Sequence, residues 1–184
     1  VELSKTRQVI VFTHRLSLLG LLNEKSDPGK IQIVGIRTEH WGCGEIGDTP
    51  LFAKKTETAF KNLKNEKIAK AKKIFNESGS DEYYPYGKAL CSDIRILVER
   101  SVELDLLADV VQRYRRAVNT MGKINKLAKI TKEDCDLINT YMTKYSKYEH
   151  SQPTEETVEV PDPTDIEKDV DTLINWISEF NKRE

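Results

Sequence analysis

The chain has 184 residues, of which 38% are hydrophobic and 32% charged, with a formal net charge of −1. That length holds one large domain or a small α/β piece plus a helical domain, and the near-zero net charge excludes a global field that draws in nucleic acid. No apolar run reaches the about 20 residues that cross a bilayer, and no basic-then-apolar leader opens the chain. The three cysteines, Cys43, Cys91 and Cys135, lie far apart with no Cys-x-x-Cys pair. They are expected to be reduced thiols of a cytoplasmic protein, with no metal site and no membrane partner.

The chain opens at Val1 within what reads as the tail of a helix, which leads to the expectation of a fragment of a longer protein. Val9-Ile10-Val11-Phe12 is a short apolar run rich in β-branched residues, the pattern of a strand covered on both faces in a parallel sheet. Leucines at 16, 18, 19, 21 and 22 predict a short helix over Arg15 to Asn23, closed by the turn Ser26-Asp27-Pro28-Gly29. A second strand is expected at 31–36. Strand, helix and strand of this length make one βαβ unit, which cannot shield its own sheet.

Beyond Trp41 a glycine-rich turn, Gly42, Gly44 and Gly47, leads to a helical region. Asp48-Thr49-Pro50 offers a capping side chain followed by a proline that needs no donor. The helix predicted there runs to about Asn76, lysine-rich on a solvated face, and Ser78-Gly79-Ser80-Asp81 breaks it. Ile94, Leu97, Val98, Ser101, Val102, Leu104, Leu107, Ala108 and Val111 recur at spacings of three and four and predict a central helix. Thr131 starts another, with Glu133 and Asp134 where the helix dipole favours negative charge and with Leu137, Ile138, Tyr141 and Met142 on one face. The polar stretch from Ser146 to Pro163 reads as an exposed connection. A last helix opens at Thr164-x-x-Glu167, a capping-box pattern, and carries Ile166, Val170, Leu173, Ile174 and Ile177 as one stripe beside Trp176.

His14 stands where the chain leaves the carboxyl end of the first expected strand, the edge at which α/β sheets bind ligands. A neutral imidazole there can hydrogen-bond a terminal phosphate; equally, a histidine closing a strand is often structural. The segment from Ser4 to Arg15, with Val9-Ile10-Val11-Phe12-Thr13-His14, resembles the last core strand and switch histidine of ABC-type ATPases. The resemblance implies ATP and Mg in the full-length protein, with His14 sensing the γ-phosphate. A phosphate-gripping loop requires glycines at fixed spacing and Lys followed by Ser or Thr. Gly29-Lys30, Gly87-Lys88 and Gly122-Lys123 are followed by Ile, Ala and Ile, so this stretch of chain is not expected to bind ATP by itself.

Arg95 and Glu99, four apart on the central helix, read as an ordinary i,i+4 ion pair. With His150 they could instead form a metal-free ribonuclease site: an arginine for phosphorane charge, a carboxylate and a histidine for proton transfer. The succession Cys91-x-x-Ile94-Arg95-x-x-x-Glu99, Val110-Val111-Gln112-Arg113-Tyr114, Thr143-Lys144-Tyr145-Ser146, His150-Ser151 and Asp171-x-x-Ile174-x-Trp176-Ile177 resembles the C-terminal region of the PrrC/RloC-like group of bacterial ABC-type ATPases, associated with anticodon nucleases and restriction loci. The anticodon nucleases of that group use an Arg-x-x-x-Glu pair and a downstream His, which fall on Arg95, Glu99 and His150. Arg113, Arg115, Arg116 and Lys123, continued by Lys126 and Lys129, could line a positive groove for RNA or DNA, or be a solvated surface neutralised by the acids between Glu155 and Asp171.

The fold class expected is α+β: a small α/β edge of a P-loop ATPase core over 1–46, then a mostly α-helical domain over 47–184. The partners implied are the rest of the ATPase chain, a homodimer, and RNA or DNA. Two functions compete, a regulatory or effector-positioning domain of an ATPase and a metal-free HEPN-like ribonuclease. A standalone interaction module is the third, and it requires both expected strands to be covered within the chain.

Overall fold

A computed structural model describes residues 2–15, 17–19, 22, 30–47, 49–113, 118, 120, 122–148 and 159–183. The chain is mostly helical with one small antiparallel sheet, and it divides into two compact units, Val1–Lys54 and Lys55–Glu184. The division falls after Lys54 rather than after residue 46, because the sheet runs on to Gly47 and the helical region does not begin until Thr56.

The first unit departs from the βαβ expectation. Residues 8–15 have no regular structure, and the run expected as a buried strand lies open, with Ile10 71% and Phe12 81% exposed. Ser17, Leu18, Leu19 and Leu22 are helical, within the short helix expected there. The second expected strand overlaps β1 (Gly35–Glu39) only at its end, and β1 pairs antiparallel with β2 (Gly42–Gly47). No parallel pairing and no P-loop core occur among the described residues. The glycines read as a turn are therefore a strand. A glycine has no side chain to carry the alternating pattern, but its backbone pairs as well as any other once a partner strand is present. The register sets Ile36 opposite Ile46 and Arg37 opposite Glu45, then skips Gly44, which inserts a bulge at φ +87.

The second unit is a helical rod folded against two further helices. The rod starts with α1 (Thr56–Asn62), widens into a π segment (Leu63–Ile68), continues as α2 (Ala69–Ser101) and ends in a second π segment (Val102–Leu106). Pro50 does not start it: Leu51–Ala53 closes on itself as a single 3-10 turn. The break expected at 78–81 is real but partial. Gly79 leaves helical geometry at φ 84, ψ −175, and the rod kinks there and goes on. The expected central stripe is buried at Ile94, Leu97, Val98 and Ser101. It stops at Leu106, and Ala108 and Asp109 turn the chain away in left-handed conformations.

Helix α3 (Lys132–Ser146) starts as expected on Thr131. The Thr131 hydroxyl accepts from the Asp134 backbone N–H, and the Asp134 carboxylate accepts from the Thr131 N–H at 2.9 Å, closing a capping box. Helix α4 (Pro163–Lys182) is capped by Asp162, which accepts from the Thr164 N–H at 2.7 Å, with Pro163 in the first helical position. Thr164 is thus one turn position inside the helix and Glu167 is free to reach Lys72, 2.5 Å away. The α4 stripe Ile166, Val170, Leu173, Ile177 and Phe180 is fully buried against α1, the first π segment and α2, while Ile174 lies at its margin.

Polar contacts then set the register between helices. Lys64 reaches Asp171 at 2.7 Å, so part of the lysine-rich face of the rod is bound to α4 rather than solvated. Trp176 donates its indole N–H to Asp134 at 2.8 Å, and Arg183 donates to the same carboxylate at 2.6 Å. Burial pushes the Asp134 carboxyl up, but the bonds from Thr131, Arg183 and Trp176 outweigh it and hold the group below its ordinary value of 3.8. A carboxyl depressed in the folded state contributes stability above its unfolded value and loses it as pH falls through the folded one. Acid titration below about pH 3.8 is therefore expected to loosen the α3–α4 junction, read as a loss of Trp176 fluorescence environment, and Asp134→Asn should flatten that slope.

Gly87 lets the chain entering α4 lie directly on α2. A Cβ there would come within 2.5 Å of Val160 and 2.6 Å of the Tyr83 ring. Gly87→Ala is expected to lower stability by about 1–3 kcal/mol through overpacking, measured as a denaturation midpoint, despite alanine's better helix propensity.

Candidate functional site

The rod presents Arg95 and Glu99 on the side that turns toward α3. Four residues apart on α2, they meet at 3.1 Å, the spacing that puts side chains one above the other on a helix. The Arg95 guanidinium also donates to the Met142 sulfur of α3. The second carboxylate oxygen of Glu99 accepts from Arg113 at 2.6 Å, and Arg113 donates its Nε to Glu103 in the second π segment. The result is a ladder of alternating charge, Arg95, Glu99, Arg113 and Glu103, that ties the chain leaving the rod back onto it. His150 lies outside the described residues, so the three-residue ribonuclease constellation is represented here by Arg95 and Glu99 alone, and both have structural partners.

The positive groove fares similarly. Arg113 is spent on Glu99 and Glu103, and Lys123 lies 3.7 Å from Asp109. Lys129 donates to the carbonyls of Phe180 and Arg183 at the end of α4, and the Phe180 carbonyl also accepts from the Arg183 N–H. Arg115 and Arg116 lie outside the described residues. Among the described residues, Arg113 and Lys123 meet Glu99, Glu103 and Asp109 rather than acids of the segment from Glu155 to Asp171. Of that acidic segment, Glu167, Asp169 and Asp171 pair instead with Lys72, Lys144 and Lys64. Helical phase could suggest the Arg95–Glu99 contact, but no spacing rule finds Glu99 with Arg113, 14 residues away across a turn.

His14 is exposed in the irregular segment that follows Phe12, beside a local turn in which the Arg15 N–H donates to the Thr13 hydroxyl at 3.0 Å. No described sheet edge brings a ligand to it. ATP with Mg does not fit the described residues either. Gly87–Lys88 is interior to α2 with its glycine packed on Val160, and Gly122, at φ +72, is followed by the Asp109-bound Lys123. Neither forms a turn of backbone N–H groups around a phosphate, and Gly29 is outside the described residues.

Several of the remaining motif residues pack in the core, whereas Val111 and Thr143 are exposed. Cys91, Ile94, Val110, Gln112, Tyr145, Trp176 and Ile177 are all buried. Burial pushes the Cys91 thiol up to about 12, which removes it as a nucleophile near neutral pH. Burial and the Asp169 carboxylate, which accepts from the Tyr145 hydroxyl at 2.6 Å, keep that phenol protonated. No described helix is long and apolar enough to cross a membrane. Compared with models of known families, with curated proteins and with solved structures, the chain shows no match.

Arg113 is 64% exposed, and exposed ion pairs contribute little after side-chain ordering and screening. A double-mutant cycle on Glu99→Gln and Arg113→Ala should give a coupling of under about 1 kcal/mol, falling further in high salt.

Proposed function

We propose that this chain is the C-terminal part of an ABC/SMC-type ATPase of the PrrC/RloC-like group, its helical unit positioning or regulating an effector rather than cutting RNA itself. The observation that carries this reading is the state of Val9-Ile10-Val11-Phe12. Four consecutive apolar residues with strand composition lie open to solvent, with no ladder partner among the described residues. Such a run is stable in that form only when something else covers it, which counts against a self-contained interaction module and favours a sheet completed by the rest of an ATPase core. The resemblance of Ser4 to His14 to the switch-histidine strand says what that sheet would be. In the assembled core His14 would face the γ-phosphate, and the described residues of this chain include no phosphate-gripping loop.

The helical unit is favoured as a positioning element because Arg95, Glu99 and Arg113 are engaged in joining its elements. Arg95 and Glu99 belong to the ladder that anchors Arg113. An active pair of this kind would be expected to hold its hydrogen-bonding capacity for substrate.

The test is made in the complete ATPase. Removing a donor to a transferring phosphoryl group costs on the order of 100-fold in turnover, so His14→Ala should slow ATP hydrolysis by about that factor with nucleotide binding retained. Arg95→Ala and Glu99→Gln should leave hydrolysis within about twofold. Amides 9–12 should exchange hydrogen freely in the 184-residue chain and be protected in the complete protein. Unchanged hydrolysis in His14→Ala would sink the ATPase assignment. Cleavage of tRNA that disappears in both Arg95→Ala and Glu99→Gln would replace the positioning role with the ribonuclease one.

A further inference from the structure

The kink in the rod leaves a cavity of about 610 Å3 between the residues flanking Gly79 and the chain entering α4. Gly79 sits at φ 84, ψ −175, a region that essentially only glycine occupies. A Cβ there would meet nothing within 4 Å, so backbone conformation and not space demands the glycine. The sequence therefore encodes the kink, and the cavity takes its walls from both sides of it: Phe75 before, Asp81, Tyr83 and Tyr84 after.

Two features of the lining point the same way. The first is aromatic. Tyr83 is buried and fixed, its hydroxyl donating to the Pro161 carbonyl at 2.7 Å and its ring meeting Phe75 edge-on at 5.3 Å, while Tyr84 stands 45% exposed. Ring faces carry negative electrostatic potential and attract cations. The second is charge. Asp81, Glu159 and Asp162 line the cavity, and no basic side chain does so among the described residues. Two helix starts border it, one after Gly79 and one at Asp162, and their dipoles together offset at most about one unit of negative charge. Asp162 is engaged as the α4 cap, so the net negative charge left over resides on Asp81 and Glu159, both exposed.

We propose that this cavity receives a cationic side chain of a basic peptide segment on a protein partner, the head group lying against the aromatic walls and between the Asp81 and Glu159 carboxylates. A bare ammonium or guanidinium ion would leave most of it empty. The volume suits a ligand the size of a few residues, and the open aromatic rim at Tyr84 gives the stem of an arginine or lysine a surface to lie on. The proposal does not rest on the ATPase assignment.

The probe is the peptide acetyl-Arg-Lys-Arg-amide, titrated into the full 184-residue chain by calorimetry and by NMR at low salt, with acetyl-Gln-Gln-Gln-amide and free arginine in parallel. Saturable binding of the basic peptide is expected, with shifts centred on Tyr83 and Tyr84. Tyr84→Ala and Asp81→Asn should each weaken it by about fivefold or more. Both side chains are exposed, so the helical circular dichroism should be unchanged and a loss of binding cannot be a loss of fold. Equal affinity in the two variants, equal affinity for the glutamine peptide, or no saturable binding overturns the proposal. Free arginine binding as tightly as the peptide overturns the peptide assignment in favour of a small-molecule cation.

Discussion

The helical unit depends on the burial of one stripe on α4. Ile166, Val170, Leu173, Ile177 and Phe180 are completely removed from solvent against the rod, and each such side chain contributes roughly 1.5–3 kcal/mol. The ion pairs that border the seam, Lys64 with Asp171 and Lys72 with Glu167, are partly exposed and add little net stability. Apolar burial therefore holds α4 on the rod, and the ion pairs fix which turn lies against which. The same division of labour places α3. Its buried face carries Ile138, Tyr141 and Tyr145, and the carboxylate of Asp134 turns the start of the helix into an anchor for Trp176 and Arg183.

Arg95, Glu99 and Arg113 join elements of the unit, and burial holds the Cys91 thiol and the Tyr145 phenol protonated. At the Gly79 kink, aromatic rings and carboxylates line one cavity. A helix interrupted by a backbone conformation that only glycine tolerates gives up local stability there, and the kink borders the cavity.

The first unit is built on the opposite balance. Its β-hairpin puts Ile36 and Ile46 side by side and leaves both exposed, as are Ile10 and Phe12. Isolated two-stranded hairpins are marginal in water, and these apolar groups find no cover among the described residues of their own unit. The contrast is between a unit whose apolar stripes are buried and one whose described apolar residues lie exposed.

The features legible in the sequence were those decided within a few residues. The α4 stripe follows from spacings of three and four, the Thr131 cap from a hydroxyl preceding two acids, and the break near Gly79 from a residue whose backbone costs too much to hold in a helix. Hydrogen bonds inside a helix are local, so local pattern suffices. Tertiary structure decided what local pattern leaves open. Strand pairing is non-local, and it made a strand of the glycines at 42–47 while the richer strand composition of Val9 to Phe12 went unpaired. Competition between adjacent caps went to Asp162 over Thr164 because Pro163 fills the first helical position. Glu99 gained Arg113, and Trp176 gained Asp134, because packing brought distant side chains within reach. The cavity exists only because the kink and the chain entering α4 meet in space, a juxtaposition that no periodicity encodes.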